Sequence, residues 1–315
     1  MSWLLVTISF YFILAVVFLV DKYLLTTSIT DPKIYTFCVG VLGIFVVIFI
    51  PFVGFYFPSF FQIILSLSAG AIYIYALFWF YKSLRIFEAS RIVPTISGLV
   101  PIFTFLLVYL FSRGKEVLSP FDIIAFLLLV FGSILITIEK KKFFNLAILK
   151  ISAITSFLLS FSFLLSKYVY LSQPFWNGFI WIKFGGVISG FCFFILTKEI
   201  REEFQKIKNN LLEKKNIGEF RLKNFKTPII FIFNQGGGAL ANILQNLAFA
   251  LAPLAYLSIV NALQGVQYVF LLILTVLISL KFPTILKEEV SKKILIQKIF
   301  AIFLLGGGLA ILTLK

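Results

Sequence analysis

Eight side-chain amides fall in two adjacent apolar runs of this chain. Asn234, Gln235, Asn242, Gln245 and Asn246 lie within residues 228–250, and Asn261, Gln264 and Gln267 lie within 253–280. A buried amide without a partner is costly in hydrocarbon. These groups must therefore pair with each other, with water or with a solute. Two or three would serve as interhelical bonds worth about 0.6 kcal/mol each. Eight point to a wet cavity, because an amide both donates and accepts toward a polar ligand. Lys183 adds a fixed positive charge about seven residues, or about 10 Å, inside the run 176–197, which holds no carboxylate. A charge at that depth faces a cavity and marks function, unless its side chain snorkels from a shifted helix end. Ser90, Pro94, Ser97, Pro101 and Thr104 follow one another at spacings of 4, 3, 4 and 3, which places them on one helical face. Pro94 and Pro101 remove backbone donors and permit bending. That face either lines a cavity on a gating helix or packs as a polar seam.

What is missing narrows the chemistry further. The chain has no His, which removes His triads, His metal ligands and His proton relays. Cys38 and Cys192 sit inside apolar runs and read as small core residues, not as a metal or disulfide pair. Asp21, Glu88 and Asp122 lie near the ends of runs and no acid lies in the middle of one. A cationic solute would want a central carboxylate, so the solute is expected to be neutral, zwitterionic or anionic. The acids of 199–219 alternate with Lys and read as a solvated helix. The clustered carboxylates of an enzyme for lipid-linked substrates are lacking, so the expectation is no catalysis and no metal. A receptor or scaffold without flux stays open beside a carrier.

The elements that position these residues are long apolar helices. The 315-residue chain is 61% hydrophobic with a mean hydropathy of +1.06, too apolar for a soluble domain. Its apolar runs are continuous and about 20 residues long, the length that crosses a bilayer as a helix; strands of a barrel would alternate. Ten spans are predicted, at 2–20, 35–55, 60–82, 89–111, 120–138, 147–166, 176–197, 228–250, 253–280 and 294–313. The first lacks a basic leader and a small-residue cleavage site, and reads as a retained helix. The 28 Lys and Arg against 13 Asp and Glu lie between the runs, where an anionic membrane attracts them. No nucleic-acid partner is expected; the partners are the bilayer, a small-molecule solute and, as a candidate, a second copy. Phe204, Ile207 and Leu211 within the basic loop 198–226 recur at helical spacing and predict a surface helix, or a plain solvated loop.

The chain also repeats itself. Phe18-Leu19-Val20-Asp21-Lys22-Tyr23 corresponds to Phe163-Leu164-Leu165-Ser166-Lys167-Tyr168, and Gly40 corresponds at the same offset to Gly185. Ala125 and Gly132 correspond to Ala301 and Gly308. Residues 1–142 and 143–315 thus read as two five-helix units. An odd number of spans inverts the second unit, as in secondary transporters with a site near the midplane. The glycine triplets 236–238 and 306–308 read as hinges or as close-packing sites.

On YALFWFYKSL (75–84), EASRIVPTISGLVPIFT (88–104), GKEVLS (114–119) and the pair Ala125 and Gly132, the chain resembles the drug/metabolite transporter superfamily, specifically its ten-helix EamA-like permeases. The second half matches less well, with Gln264 in place of Pro101, Gln267 in place of Thr104, and Glu288 or Glu289 as the turn acid. The resemblance implies two inverted bundles around a central cavity, alternating access, a multi-pass place in the cell membrane and no cofactor. The expected solute site joins Asn242, Gln245, Asn261, Gln264 and Gln267 to Lys183. Tyr75 and Trp79 face them as an aromatic wall, because at an offset of 163 Trp79 corresponds to Asn242. Basic residues then orient the chain. The connections 1–2, 3–4, 5–6, 7–8 and 9–10 hold 23 of them, against Arg113, Lys115, Lys167 and Lys315 on the other side. The positive-inside rule puts both termini outside the cytoplasm, whereas the resemblance implies cytoplasmic termini.

Overall fold

The computed structural model of the chain describes residues 2–25, 32–87, 89–137, 146–198, 200–202, 205, 226–281 and 292–314. Every regular element among them is helical. Helix α1 spans Ser2–Leu25, and α2 (Pro32–Leu42) runs on into a 3-10 stretch, Gly43–Phe52. Then come α3 (Phe60–Ile86), α4 (Ala89–Phe111), α5 (Pro120–Thr137), α6 (Leu146–Ser172) and α7 (Phe175–Leu196). Helix α8 spans Lys226–Leu251; a 3-10 turn at Leu254–Tyr256 leads into α9 (Leu257–Ala262), α10 (Gln264–Lys281) and α11 (Lys292–Thr313).

Eight of the described stretches are long and apolar enough to cross a membrane. Large apolar side chains such as Leu5, Phe45, Phe52 and Phe303 are exposed on the outside, where lipid would cover them. The chain is a multi-pass membrane protein. Two of the ten expected spans fall short by this measure. The second is a shorter apolar stretch, Thr36–Phe52, tightened into 3-10 turns that contain Pro51. The eighth is α8, whose own amides dilute its apolarity. The ninth is broken at Leu263, where the predicted span 253–280 divides into α9 and α10.

Small residues set the closest crossings. A methyl group at Gly70 of α3 would overlap the Ile182 carbonyl of α7, and one at Gly185 would overlap the Leu67 backbone. Helices without a hydrophobic drive between them associate through such close approach. Gly185→Leu should therefore abolish folded protein, read as the loss of the monodisperse peak in detergent. Gly236→Ala should leave that peak intact, because nothing lies within 4 Å of the added atom. Gly238 and Gly306 are equally open, so close packing does not account for the triplets as a whole. Gly308 is a packing residue: an added methyl would meet the Ala125 carbonyl at 3.0 Å, as one on Gly132 would meet Ala301 at 3.2 Å.

Helix α6 runs past the expected end of its span at 166. This moves Lys167 from a connection into the core, where it is 2% exposed. Its Nζ donates to the Ala250 carbonyl at 3.0 Å and to the Ala252 carbonyl at 2.5 Å. The last carbonyls of a helix lack intrahelical partners and carry the negative end of its dipole. An ammonium group with three donors satisfies both needs at the end of α8. Of loop 198–226, residues 198, 200–202, 205 and 226 are described. Ile200 is buried there, and exposed Lys198 pairs with Glu202 at 3.3 Å. Phe204, Ile207, Leu211, Glu88, Glu288 and Glu289 lie outside the described residues.

Candidate functional site

A polar cleft lies among α3, α6, α7 and α8, lined by Tyr73, Ser162, Ser166, Lys183, Asn242 and Gln245 together with apolar neighbours. Its depth follows from helix geometry. Gln62 Nε2 donates to the Ser172 carbonyl at 3.3 Å, which sets the start of α3 beside the end of α6. Lys167 sets the end of α8 on the same side. At 1.5 Å per residue from those ends, Lys183 lies about 12 Å deep, Asn242 about 14 Å, Ser162 about 15 Å and Tyr73 about 20 Å. The four therefore meet near the middle of the membrane span.

The central contact joins α7 to α8. Lys183 Nζ donates to Asn242 Oδ1 at 2.6 Å and sits 5.2 Å from the centre of the Phe179 ring. Asn246 Nδ2 donates to the Asn242 carbonyl at 2.9 Å and to its Oδ1 at 3.3 Å, and Tyr170 donates its hydroxyl to Asn246 Oδ1 at 2.8 Å. Tyr73 lines the same cleft as Asn242. Ser162 and Ser166 donate to the Ala69 and Ser162 carbonyls at 2.9 Å each, which leaves their hydroxyl oxygens as acceptors. The free space among these groups is about 20 Å³, room for one water-sized group.

Three of the expected site residues, Lys183, Asn242 and Gln245, come together here. The other amides do not line the cleft. Asn261 is 2% exposed and its Nδ2 donates to Thr104 Oγ1 of α4 at 3.0 Å. Gln264 Nε2 reaches Tyr268 at 3.4 Å, and Tyr268 shares a 2.9 Å bond with Ser97 of α4. Gln267 is 8% exposed on the same helix. Asn261 thus meets the hydroxyl face of α4, against which α9 packs, and Tyr268 of α10 reaches the same face at Ser97. The carbonyls near the break are satisfied as well: Tyr11 donates to Val260 at 3.1 Å, and Ser133 to Ala262 at 3.0 Å. Pro94 and Pro101 are buried within α4, as expected of that face.

The aromatic wall is placed differently from the expectation. Tyr75 is 53% exposed and packs on Phe193 at 5.4 Å, while Trp79 lies under Lys82 at 4.6 Å. The residue of α3 that faces the cleft is Tyr73. Two positions along a helix turn a side chain by more than half a revolution, so alignment with Asn242 pointed to the wrong side. Asn246, counted among the eight amides, belongs to the cleft, and so do Tyr170, Ser162 and Ser166. The two serines stand four apart on α6, a spacing that marks one helical face.

No family model matches the chain, and no curated protein matches it. A solved structure described only as "Crystal structure of protein" is similar, with a TM-score of 0.67 at 12% identity over 99% of this chain and 98% of its own. That likeness establishes a shared fold and says nothing of activity.

Proposed function

We infer that the chain is a permease. It moves a small polar solute, neutral, zwitterionic or anionic, across a cell membrane by alternating access, as the drug/metabolite transporters it resembles do. The observation that carries this reading is the network of Lys183, Asn242, Asn246 and Tyr170 at mid-depth. Among the described residues, no carboxylate lies within ion-pair distance of Lys183. A charge held in the membrane interior without a counter-ion is expensive and marks a solute path. Support for two inverted five-helix units, 1–142 and 143–315, comes from reciprocal packing. Gly132 meets Ala301 while Gly308 meets Ala125, the self-complementary pattern of a two-fold contact. Contacts of α3 with α6 are mirrored by those of α8 with α1. The ten spans then count the α2 stretch as the second and α8 as the eighth. The purified protein in proteoliposomes should show saturable flux of at least one polar metabolite; a receptor, a scaffold or a lipid-acting enzyme would show none.

Bending belongs to this mechanism, since space for one water-sized group admits a solute only when helices part. Pro94→Ala and Pro101→Ala should slow flux more than they lower folded yield. Unchanged flux at normal yield would leave the prolines a packing role alone. Orientation follows from charge. With Lys167 withdrawn into the core, the sparsely charged side keeps Arg113, Lys115 and Lys315, so both termini are assigned outside the cytoplasm. A cysteine introduced at Asn209, in a background lacking Cys38 and Cys192, should resist an impermeant reagent on intact cells. Labelling would reverse the orientation.

A further inference from the structure

Resting on the transport reading, we propose that the mid-membrane cleft is an anion site whose ligand is a small monocarboxylate, held at Lys183. An ammonium group has three donors. Asn242 Oδ1 takes one at 2.6 Å and the Phe179 ring lies beside the group at 5.2 Å, which leaves donor capacity directed toward the cleft. Among the described residues, the elements that line the cleft around Lys183 bring it no negative charge. Helix α3 presents Tyr73, α6 presents Ser162 and Ser166, α8 presents Asn242, Gln245 and Asn246, and α7 adds Ile182. All of these are uncharged. The amide that receives the ammonium is itself committed to Asn246 at 3.3 Å, and it carries no net charge to offset the lysine.

A carboxylate entering the cleft supplies the missing charge and forms a charge-assisted hydrogen bond, the stronger kind. A cation meets repulsion that grows as the dielectric falls. A neutral isostere gains only ordinary hydrogen bonds. The acceptor oxygens of Ser162 and Ser166, whose hydrogens already go to backbone carbonyls, face the rest of the ligand and suit a hydroxyl substituent. The cleft as it stands holds one water-sized group, so the acid enters only when the helices part.

The test compares matched ligands on the full-length protein in nanodiscs, by titration calorimetry: lactate against lactamide, and propionate against propionamide. The acids should bind roughly tenfold or more tightly than their amides, the range of a hydrogen bond to a charged partner. Lys183→Met should remove that preference, and Lys183→Arg should keep it. Equal binding of acid and amide by the unaltered protein would overturn the proposal, whether or not any variant folds. So would a preference that survives Lys183→Met, or no binding of either acid. Flux separates this outcome from the transport reading. Lysine-dependent acid binding with no flux of that acid in proteoliposomes would keep the site and defeat the permease. Saturable flux of an uncharged solute, unaffected by Lys183→Met, would keep the permease and defeat the anion site.

Discussion

Lys167→Met is expected to destabilise the purified protein by about 2–4 kcal/mol, from the loss of two charge-assisted hydrogen bonds in a buried setting. The ammonium is 2% exposed and holds the Ala250 and Ala252 carbonyls. Methionine keeps the length and flexibility of the side chain but offers no donor. Those carbonyls would then be left at a helix end inside the protein, where unsatisfied backbone groups are most costly. The effect should be read as a lowered midpoint of thermal unfolding in detergent, with Gly236→Ala as a neutral reference. An unchanged midpoint would mean that water or another donor satisfies the end of α8. Because Lys167 does not line the cleft, the choice among solutes should survive the change even where the amount of folded protein falls.

Asn242→Leu is expected to abolish flux, with a loss of roughly tenfold or more, while Gln264→Leu leaves flux nearly unchanged. The contrast follows from their partners. Asn242 accepts from Lys183 and Asn246. Leucine in its place strands the ammonium, which costs about 1–3 kcal/mol or more when left unpaired, while Asn246 keeps the Asn242 backbone carbonyl at 2.9 Å. Gln264 has one long bond, 3.4 Å, to Tyr268, and Tyr268 keeps Ser97 at 2.9 Å without it. Initial rates in proteoliposomes, normalised to folded protein, would check the pair. Equal damage from both substitutions would extend the site across the break at Leu263. Damage from Gln264→Leu alone would move it to the interface of α4 with α10.

Much of this molecule is legible residue by residue. The apolar runs predict where helices lie to within a few residues for α3, α4, α5 and α11. The depth of Lys183 follows from counting along one helix. Lys183 and Asn242 both belong to the expected solute site, and they meet at 2.6 Å. The composition of the site was less legible. Asn261 and Asn242 look alike as sequence, each an amide in the middle of an apolar run. One bonds Thr104 across 157 positions and the other Lys183 across 59. Nothing local separates them, since each choice depends on which helix lies opposite. Tyr73 lost to Tyr75 for a related reason. The helices carry apolar residues all round, so their phase is set by the glycine crossings and not by an amphipathic stripe.

Local chemistry therefore settled the solvent, the secondary structure and the inventory of polar groups placed in lipid. A run of about 20 apolar residues is helical in a bilayer whatever its neighbours are. Packing settled the pairings. Gly70 and Gly185 let α3 and α7 approach closely enough to enclose one polar cleft. The packing of α9 on α4 took Asn261 to Thr104. The extra turns of α6 carried Lys167 from a presumed loop to the end of α8. Each of these depends on the surfaces of two distant segments meeting, and a contact between segments is a property of their relative position, which no single stretch of chain contains.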